Sequence, residues 1–298
     1  MKRKNQRSVI YAILAATLYA LSSPCAKLLL RVVPVTMMAA FLYLGAGIGM
    51  GVIGIMYHIS GKQRGEDKLT VKETPYIIAM IVLDILAPIL LMAGLARTTA
   101  ANASLLNNFE IVATSLIAFI IFKEVISKRL WIAIFLVTAS CMLLSFEDIG
   151  SFSFSYGSLF VLVACICWGF ENNCTRKLSK KDPLQIVVIK GLCSGTGSLL
   201  IAVIIGESIP KVGFIFLILL LGFFAYGLSI YFYVMGQRYL GAAKTSTFYA
   251  VAPFLGAVMS LVIFREMPGV TFLIAVVIMM IGAYYAATDR MQKEISKT

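Results

Sequence analysis

Residues 104–124 have the sequence SLLNNFEIVATSLIAFIIFKE, and residues 246–266 have the sequence STFYAVAPFLGAVMSLVIFRE. Both stretches begin with serine, are apolar over most of their length, and end with Ile-Phe, a basic residue and glutamate. A shift of 142 positions superimposes them without a gap. Self-similarity at a fixed period indicates that the chain contains a repeated structural unit.

The similarity continues on both sides of these stretches. The same shift aligns Gly94 with Gly236, whereas a shift of 149 positions aligns Pro34 with Pro183 near the start of each unit. The difference between the two shifts falls between the second and third apolar segments of each unit. We therefore predict two related halves, residues 1–148 and 149–298.

The composition places these halves in a membrane. Of the 298 residues, 60% are hydrophobic and only 13% are charged, about half the charged fraction of a soluble domain. The net charge of +12 comes from short loops, which suits anionic lipid headgroups and not nucleic acid. Six cysteines show no zinc or disulfide spacing, so no metal or cofactor is predicted.

Apolar segments of about 20 residues predict membrane-spanning helices. The charged and Gly/Pro-rich segments divide the chain into ten such stretches, which predicts an all-α protein with ten membrane-spanning helices. These are 8–30, 35–58, 75–95, 99–122, 129–146, 155–177, 184–206, 212–236, 243–264 and 269–288. Each half contains five helices, an odd number, so the second half enters the membrane from the opposite side. Such inverted repeats are typical of secondary transporters.

The basic residues predict the orientation. With both termini in the cytoplasm, most of them lie on the inner side, as the positive-inside rule requires. The predicted outer side holds only Lys27, Arg31, Arg97, Lys211 and Arg265. The short loops favour a multi-pass protein of the cell (inner or plasma) membrane.

The pattern resembles the EamA-type transporters of the drug/metabolite transporter superfamily. Residues 244–286 match its end-of-repeat pattern in three features. Pro253 is the mid-helix proline, Glu266 is the acidic residue at the helix end, and Gly282 is the glycine in the final span. The first half departs from it, since Ile111 occupies the position of the proline. The resemblance covers nearly the whole chain and implies transport of a small metabolite or drug through a central cavity.

Four ionisable residues lie deep within predicted spans: Asp84, Glu110, Glu171 and Lys190. Glu171 and Lys190 lie at equal distances from the turn between spans six and seven, so we expect an ion pair between them. This pair either locks the hairpin or takes part in gating and substrate contact.

Asp84 and Glu110 lie at equal distances from the turn near Arg97, about 20 Å below the outer helix ends. We expect them to face each other across the hairpin without a basic partner. Burial and mutual repulsion favour the protonated form, so at least one should be neutral near pH 7.

Glu110 belongs to a polar face of the fourth span, which also carries Asn107, Asn108 and Thr114. This face is either static hydrogen-bonded packing or the wall of a cavity that binds substrate or protons. Aromatic residues near the inferred cavity, Trp168, Tyr226, Tyr233 and Tyr249 with Tyr19 in the first half, suit an amine or organic cation through cation–π attraction.

Prolines and glycines predict where helices break and where they approach closely. We expect Pro24 and Pro253 to break spans one and nine and Pro88 to kink span three. Glycines in spans two and seven predict close helix contacts: Gly45, Gly47, Gly49, Gly51, Gly54, Gly191, Gly195 and Gly197.

These features favour a proton-coupled exporter or exchanger of a small, amine-bearing or amino-acid-like molecule. Its partners would be the substrate, protons and membrane lipids. The chain lacks nucleotide-binding and HExxH motifs and has a single histidine, which argues against an ATP-driven pump and against an enzyme, and we predict no catalytic residues. A passive channel or facilitator and a non-catalytic membrane subunit are the alternatives.

Overall fold

The computed structural model describes residues 2–60, 67, 69–121, 123, 125–148, 153–178, 181–233, 235 and 249–295. Within them, 8 helical segments are long and apolar enough to cross a membrane, and two further apolar helices, Ala252–Phe264 and Val270–Ala286, are shorter. Each of the ten predicted spans overlaps one of these segments, and eight of the segments have the length that a membrane crossing needs. The count of ten crossings stays a prediction. The first six residues of the ninth predicted span, 243–248, lie outside the described residues.

The described residues form the following helices. In the first half they are α1 (Lys2–Ala20), α2 (Ser22–Leu29), α3 (Val35–Ile59), α4 (Thr74–Arg97), α5 (Ala100–Leu106), α6 (Phe109–Ile120) and α7 (Lys128–Ser145). In the second half they are α8 (Tyr156–Leu178), α9 (Pro183–Ile204), α10 (Val212–Gly222), α11 (Ala252–Phe264) and α12 (Val270–Ile295). A π-helical turn, Phe223–Leu228, extends α10. A small antiparallel hairpin, β1 (Phe146–Asp148) with β2 (Ser153–Phe154), joins the halves.

Corresponding helices of the two halves pack against each other. Helix α3 lies along α9, α5 crosses α11, and α7 lies along α12. The closest of these contacts depends on glycine: a Cβ on Gly47 would lie 2.5 Å from the amide nitrogen of Leu192, and a Cβ on Gly195 would lie 2.6 Å from that of Leu44. The predicted close contacts are confirmed here. At Gly51 the expectation is wrong, because nothing lies within 4 Å of such a Cβ.

Three spans are interrupted near their middle. The breaks expected at proline are confirmed: α1 ends before Leu21, three residues before Pro24, and α11 begins one residue before Pro253. Proline lacks the N–H that would bond to the carbonyl four residues earlier, so the helix cannot continue normally through that point. Helix α4, in contrast, continues through Pro88.

The third break was not predicted. The fourth span consists of α5 and α6, separated at Asn107 and Asn108, so the expectation of one helix over 99–122 is wrong. The Asn108 side-chain amide donates to the carbonyl oxygen of Leu105 at 3.2 Å. Asparagine competes for backbone hydrogen bonds in this way and thereby disfavours helix interiors.

Two charged side chains cap helix ends at the predicted outer side. The Lys27 ammonium donates to the carbonyl oxygens of Leu95 at 2.5 Å and Thr98 at 2.7 Å, at the carboxyl end of α4. The Glu207 carboxylate accepts from the backbone amides of Thr36 at 3.0 Å and Met37 at 2.8 Å, at the amino end of α3. Each charge has the sign that the helix dipole favours, so both residues stabilise the packing of the bundle.

Candidate functional site

A buried group of three charged side chains lies where α4, α8 and α9 meet. The Lys190 ammonium on α9 is 3.1 Å from Asp84 Oδ2 on α4 and 3.1 Å from Glu171 Oε1 on α8. The side chains of Asp84 and Glu171 are 0% and 2% exposed. We call Asp84, Glu171 and Lys190 the charge cluster.

The charge cluster confirms one expectation and corrects another. The predicted ion pair between Glu171 and Lys190 is present. The prediction that Asp84 lacks a basic partner is wrong, because Lys190 binds it as well. Equal depth within a hairpin cannot identify this partner, because α4 and α9 are distant in sequence and meet through tertiary packing.

Neutral donors complete the charge cluster. The Tyr43 hydroxyl on α3 donates to Asp84 Oδ1 at 3.1 Å, and the Thr175 hydroxyl donates to Glu171 Oε1. The Trp168 side chain lies beside the Tyr43 hydroxyl. Sequence reasoning missed both donors. Thr175 lies one helical turn after Glu171 and was recognisable from that spacing, whereas nothing in the sequence around Tyr43 indicates that it faces Asp84.

The formal charges of the cluster do not cancel. Two carboxylates and one ammonium leave a net charge of −1 when all three groups are ionised. A net charge away from water is costly. The charge cluster is therefore suited to taking up one proton or one cation.

A second site lies where α6 meets α8, and it contains Glu110 of α6. Its Oε1 accepts a hydrogen bond from the Asn172 amide at 2.6 Å, and Asn172 also donates to the Thr114 hydroxyl at 3.3 Å. Asp84 and Glu110 are thus held by different helices, and the expected carboxylate pair across the hairpin is replaced by two separate sites. Asn172 was missed, although the polar run Glu171-Asn172-Asn173 inside an apolar span is a visible signal.

The break in the fourth span determines the surroundings of Glu110. Glu110 is the second residue of α6, and its backbone amide donates to the carbonyl oxygen of Asn107 at 3.1 Å. The amino end of a helix carries a partial positive charge that favours an anion. Broken helices in transporters present such ends to bound solutes and ions.

Five tyrosines form a continuous series of ring contacts near the two sites. Ring centroids are 5.5 Å apart for Tyr43 and Tyr226, 6.0 Å for Tyr226 and Tyr19, 5.8 Å for Tyr19 and Tyr249, and 4.8 Å for Tyr249 and Tyr233. We call these five residues the tyrosine row. Its first member, Tyr43, donates to Asp84, and Tyr19 and Tyr249 lie near Glu110. The row therefore links the charge cluster with Glu110.

Eight of the ten predicted site residues lie in or beside this arrangement: Asp84, Glu110, Trp168, Glu171, Lys190, Tyr226, Tyr233 and Tyr249. Asn107 and Asn108 are buried at the helix break instead. The Asn108 amide faces the Met279 sulfur on α12 at 3.2 Å. Among the described residues, Asn108 Oδ1 is buried without a hydrogen-bond partner, whereas the Tyr226 hydroxyl lies beside Ser22.

The sequence matches the EamA-like transporter family over residues 6–146 and again over residues 155–288. A protein of Methanothermobacter thermautotrophicus described as an uncharacterized transporter is 25% identical over 92% of this chain and 84% of its own length. The uncharacterized transporter YyaM of Bacillus subtilis is 23% identical over 57% of this chain and 59% of its own length. A crystal structure with 18% sequence identity superimposes with a TM-score of 0.68 over 97% of this chain and 99% of its own, and therefore shares the fold.

Proposed function

Because the chain belongs to the EamA-like transporter family, we propose that it exchanges a small amine-bearing metabolite or drug for protons across the cell membrane. The charge cluster is the observation that carries this proposal. Its net charge of −1 needs either a proton or a cation, and the two compete for the same carboxylates. Competition of this kind links the binding of cargo to the release of protons.

Glu110 is the second proposed proton-binding group. It lies at the amino end of α6, where the helix dipole stabilises its charged form, yet in a span where a charge is costly. We propose that this carboxylate binds and releases a proton during the transport cycle. A cationic cargo beside Glu110 would favour the charged form and expel the proton.

The proposed architecture is a five-plus-five inverted repeat with its boundary between residues 148 and 149. The pairing of α3 with α9, α5 with α11 and α7 with α12 supports it, because each pair joins corresponding spans. Alternating access would follow from exchanging the conformations of the two halves. The distribution of basic residues supports a cytoplasmic location for both termini.

Two measurements test this proposal. Counterflow of labelled pentylamine into proteoliposomes, compared with protein-free liposomes, should saturate with concentration, since a carrier has a finite number of sites. Flux that rises in proportion to concentration would indicate a channel, and no flux above the lipid background would reject amine transport.

Proton release measures the coupling directly. Adding pentylamine to detergent-solubilised protein in a weakly buffered solution with a pH indicator should release protons near pH 7. Glu110→Gln should reduce this release strongly while leaving the protein folded, because the amide cannot ionise but still accepts the Asn172 hydrogen bond. Undiminished release in both Glu110→Gln and Asp84→Asn would refute the assignment of the proton sites.

A further inference from the structure

The ends of several helices are fastened together at one corner of the predicted outer side. Lys27 on α2 donates to the carbonyl oxygens of Leu95 at 2.5 Å, Ala96 at 3.2 Å and Thr98 at 2.7 Å, at the end of α4. Glu266, which follows α11 closely, lies near the same ammonium. One lysine thus holds the ends of α2, α4 and α11 together.

Two glycines bring α4 and α8 into backbone contact at the same corner. A Cβ on Gly94 would lie 2.7 Å from the carbonyl oxygen of Gly157, and a Cβ on Gly157 would lie 2.8 Å from the carbonyl carbon of Arg97. Such an approach requires small residues on both helices. We call Lys27, Gly94, Gly157 and Glu266 the outer latch.

Both contacts of the outer latch join the two predicted halves. Gly94 belongs to the first half and Gly157 to the second, and Lys27 belongs to the first half and Glu266 to the second. A carrier built from an inverted repeat closes one side of the membrane by moving its repeats against each other. The outer latch therefore has the position that a gate needs, and it is closed in this structure.

Every member of the outer latch has a counterpart in the other half of the sequence. Shifts of 142 and 149 positions relate a glycine to a glycine, an acidic residue to an acidic residue, a basic residue to a basic residue, and a glycine to a serine. The pairs are Gly94 with Gly236, Glu266 with Glu124, Lys27 with Arg176, and Gly157 with Ser8. All four counterparts belong to the predicted cytoplasmic side; Gly236 and Glu124 lie outside the described residues.

The described backbone supports the equivalence of the two sides. Arg265 has a φ of 54° and Lys123 a φ of 56°. The shift of 142 relates these two residues, which directly precede Glu266 and Glu124. A positive φ is uncommon for a residue other than glycine. Its occurrence at both positions indicates that the fourth and ninth spans end in the same kind of turn.

We infer that the chain carries two equivalent latches on opposite faces of the membrane, which close in alternation: the outer latch and an inner latch of Ser8, Glu124, Arg176 and Gly236. This inference rests on the proposed inverted repeat and specifies which residues gate its two sides. Because the two closed states exclude each other, weakening one latch raises the population in which the other is closed. Two independent static contacts would not influence each other in this way.

Hydrogen–deuterium exchange of the detergent-solubilised full-length protein, followed by mass spectrometry, measures both sides at once, because separated helix ends exchange faster than packed ones. Glu266→Gln removes the charge beside Lys27. Exchange should become faster in the outer peptides, 94–99 and 156–162, and slower in the inner peptides, 5–11 and 236–241. Glu124→Gln should give the reverse pattern. We expect changes in rate of up to about threefold, since an ion pair of this kind contributes less than about 1 kcal/mol.

A second pair of variants acts by steric contact. Gly94→Ala places a Cβ against the carbonyl oxygen of Gly157 and should reproduce the pattern of Glu266→Gln. Gly236→Ala should reproduce that of Glu124→Gln. The control is Glu73→Gln, a substitution at a partly exposed carboxylate of the predicted cytoplasmic surface, which should leave exchange unchanged in all four peptides.

The outcomes separate this inference from the proposed function. If the variants accelerate exchange on their own side and none slows it on the opposite side, the latches are static contacts and the inference is wrong. It is also wrong if the two inner variants have no effect, because only one latch would then exist. Saturable counterflow of pentylamine would leave the proposed exchanger in place under either result. Reciprocal changes in exchange without any pentylamine flux would support the two gates and reject amine transport.

Discussion

Replacement of Lys190 by methionine tests the charge cluster most directly. The lysine ammonium contacts Asp84 and Glu171 at 3.1 Å each, and methionine retains an unbranched apolar stem without the charge. Two carboxylates would then face each other at a buried position. The Tyr43 and Thr175 hydroxyls would remain as hydrogen-bond donors but cannot neutralise them.

The expected loss of stability is large. Removing one partner of a buried ion pair costs about 3–5 kcal/mol, because the remaining charge is left uncompensated. Asp84 and Glu171 are 0% and 2% exposed, so water cannot replace the ammonium. The apparent midpoint of thermal unfolding should therefore fall by about 5–10 °C at pH 8.

The loss of stability in the Lys190→Met variant should depend on pH. In the Lys190→Met variant the folded state binds protons more readily than the unfolded chain, because protonation removes the repulsion between Asp84 and Glu171. Stability therefore rises as more protons are bound, that is, as the pH falls. We expect the difference in unfolding midpoint between the variant and the unsubstituted protein to be clearly smaller at pH 5.5 than at pH 8.

Thermal unfolding in detergent, followed by circular dichroism at 222 nm, measures this difference at both pH values. The control is Lys181→Met, which makes the same chemical change in a partly exposed ion pair with Glu73, where the two charges are 3.8 Å apart. Its midpoint should change by less than about 2 °C, since surface ion pairs contribute about 0–1 kcal/mol. The triple variant Lys190→Met, Asp84→Asn, Glu171→Gln should recover most of the loss. The electrostatic explanation would be refuted if the midpoint fell equally at both pH values, or if the triple variant unfolded at as low a temperature as Lys190→Met.

Two further predictions concern the scaffold. Lys27→Met removes the ammonium that caps α4 and should lower the unfolding free energy by about 1–2 kcal/mol. The control is Lys211→Met, a substitution near the start of α10, which should change the unfolding free energy little. Equal effects of the two substitutions would contradict the capping role of Lys27. Gly195→Ala places a Cβ 2.6 Å from the amide nitrogen of Leu44 and should cost about 1–3 kcal/mol in thermal-unfolding measurements. Gly213→Ala, where nothing lies within 4 Å, is its control, and a tolerated Gly195→Ala would show that α3 and α9 separate easily.

The sequence predicted features that depend on neighbouring segments of the chain. The ion pair between Glu171 and Lys190 followed from their equal distance from one turn, and the breaks near Pro24 and Pro253 followed from the missing proline N–H. The partner of Asp84 could not be found in this way, because Lys190 reaches it only through the packing of helices remote in sequence. A span prediction based on hydropathy cannot locate the break at Asn107, since the helices on both sides remain apolar.

The predicted repeat indicates that the fold itself does not require the charge cluster. A shift of 142 positions relates Asp84 to Tyr226, and a shift of 149 relates Glu171 to Ser22. Ser22 lies beside Tyr226, and Asp84 lies near Glu171, so the two pairs of corresponding positions both adjoin, each between one half and the other. One contact is made by a serine and a tyrosine, and the other by two carboxylates that require Lys190.

The same helix contact is thus formed once without any charge. Neutral residues therefore suffice for the packing, and the carboxylates introduce a cost that the fold itself does not demand. It follows that the triple variant Lys190→Met, Asp84→Asn, Glu171→Gln should fold. It should neither release protons from the charge cluster nor bind an amine there. A folded triple variant that still bound pentylamine as tightly as the unsubstituted protein would show that the charge cluster only holds the helices together.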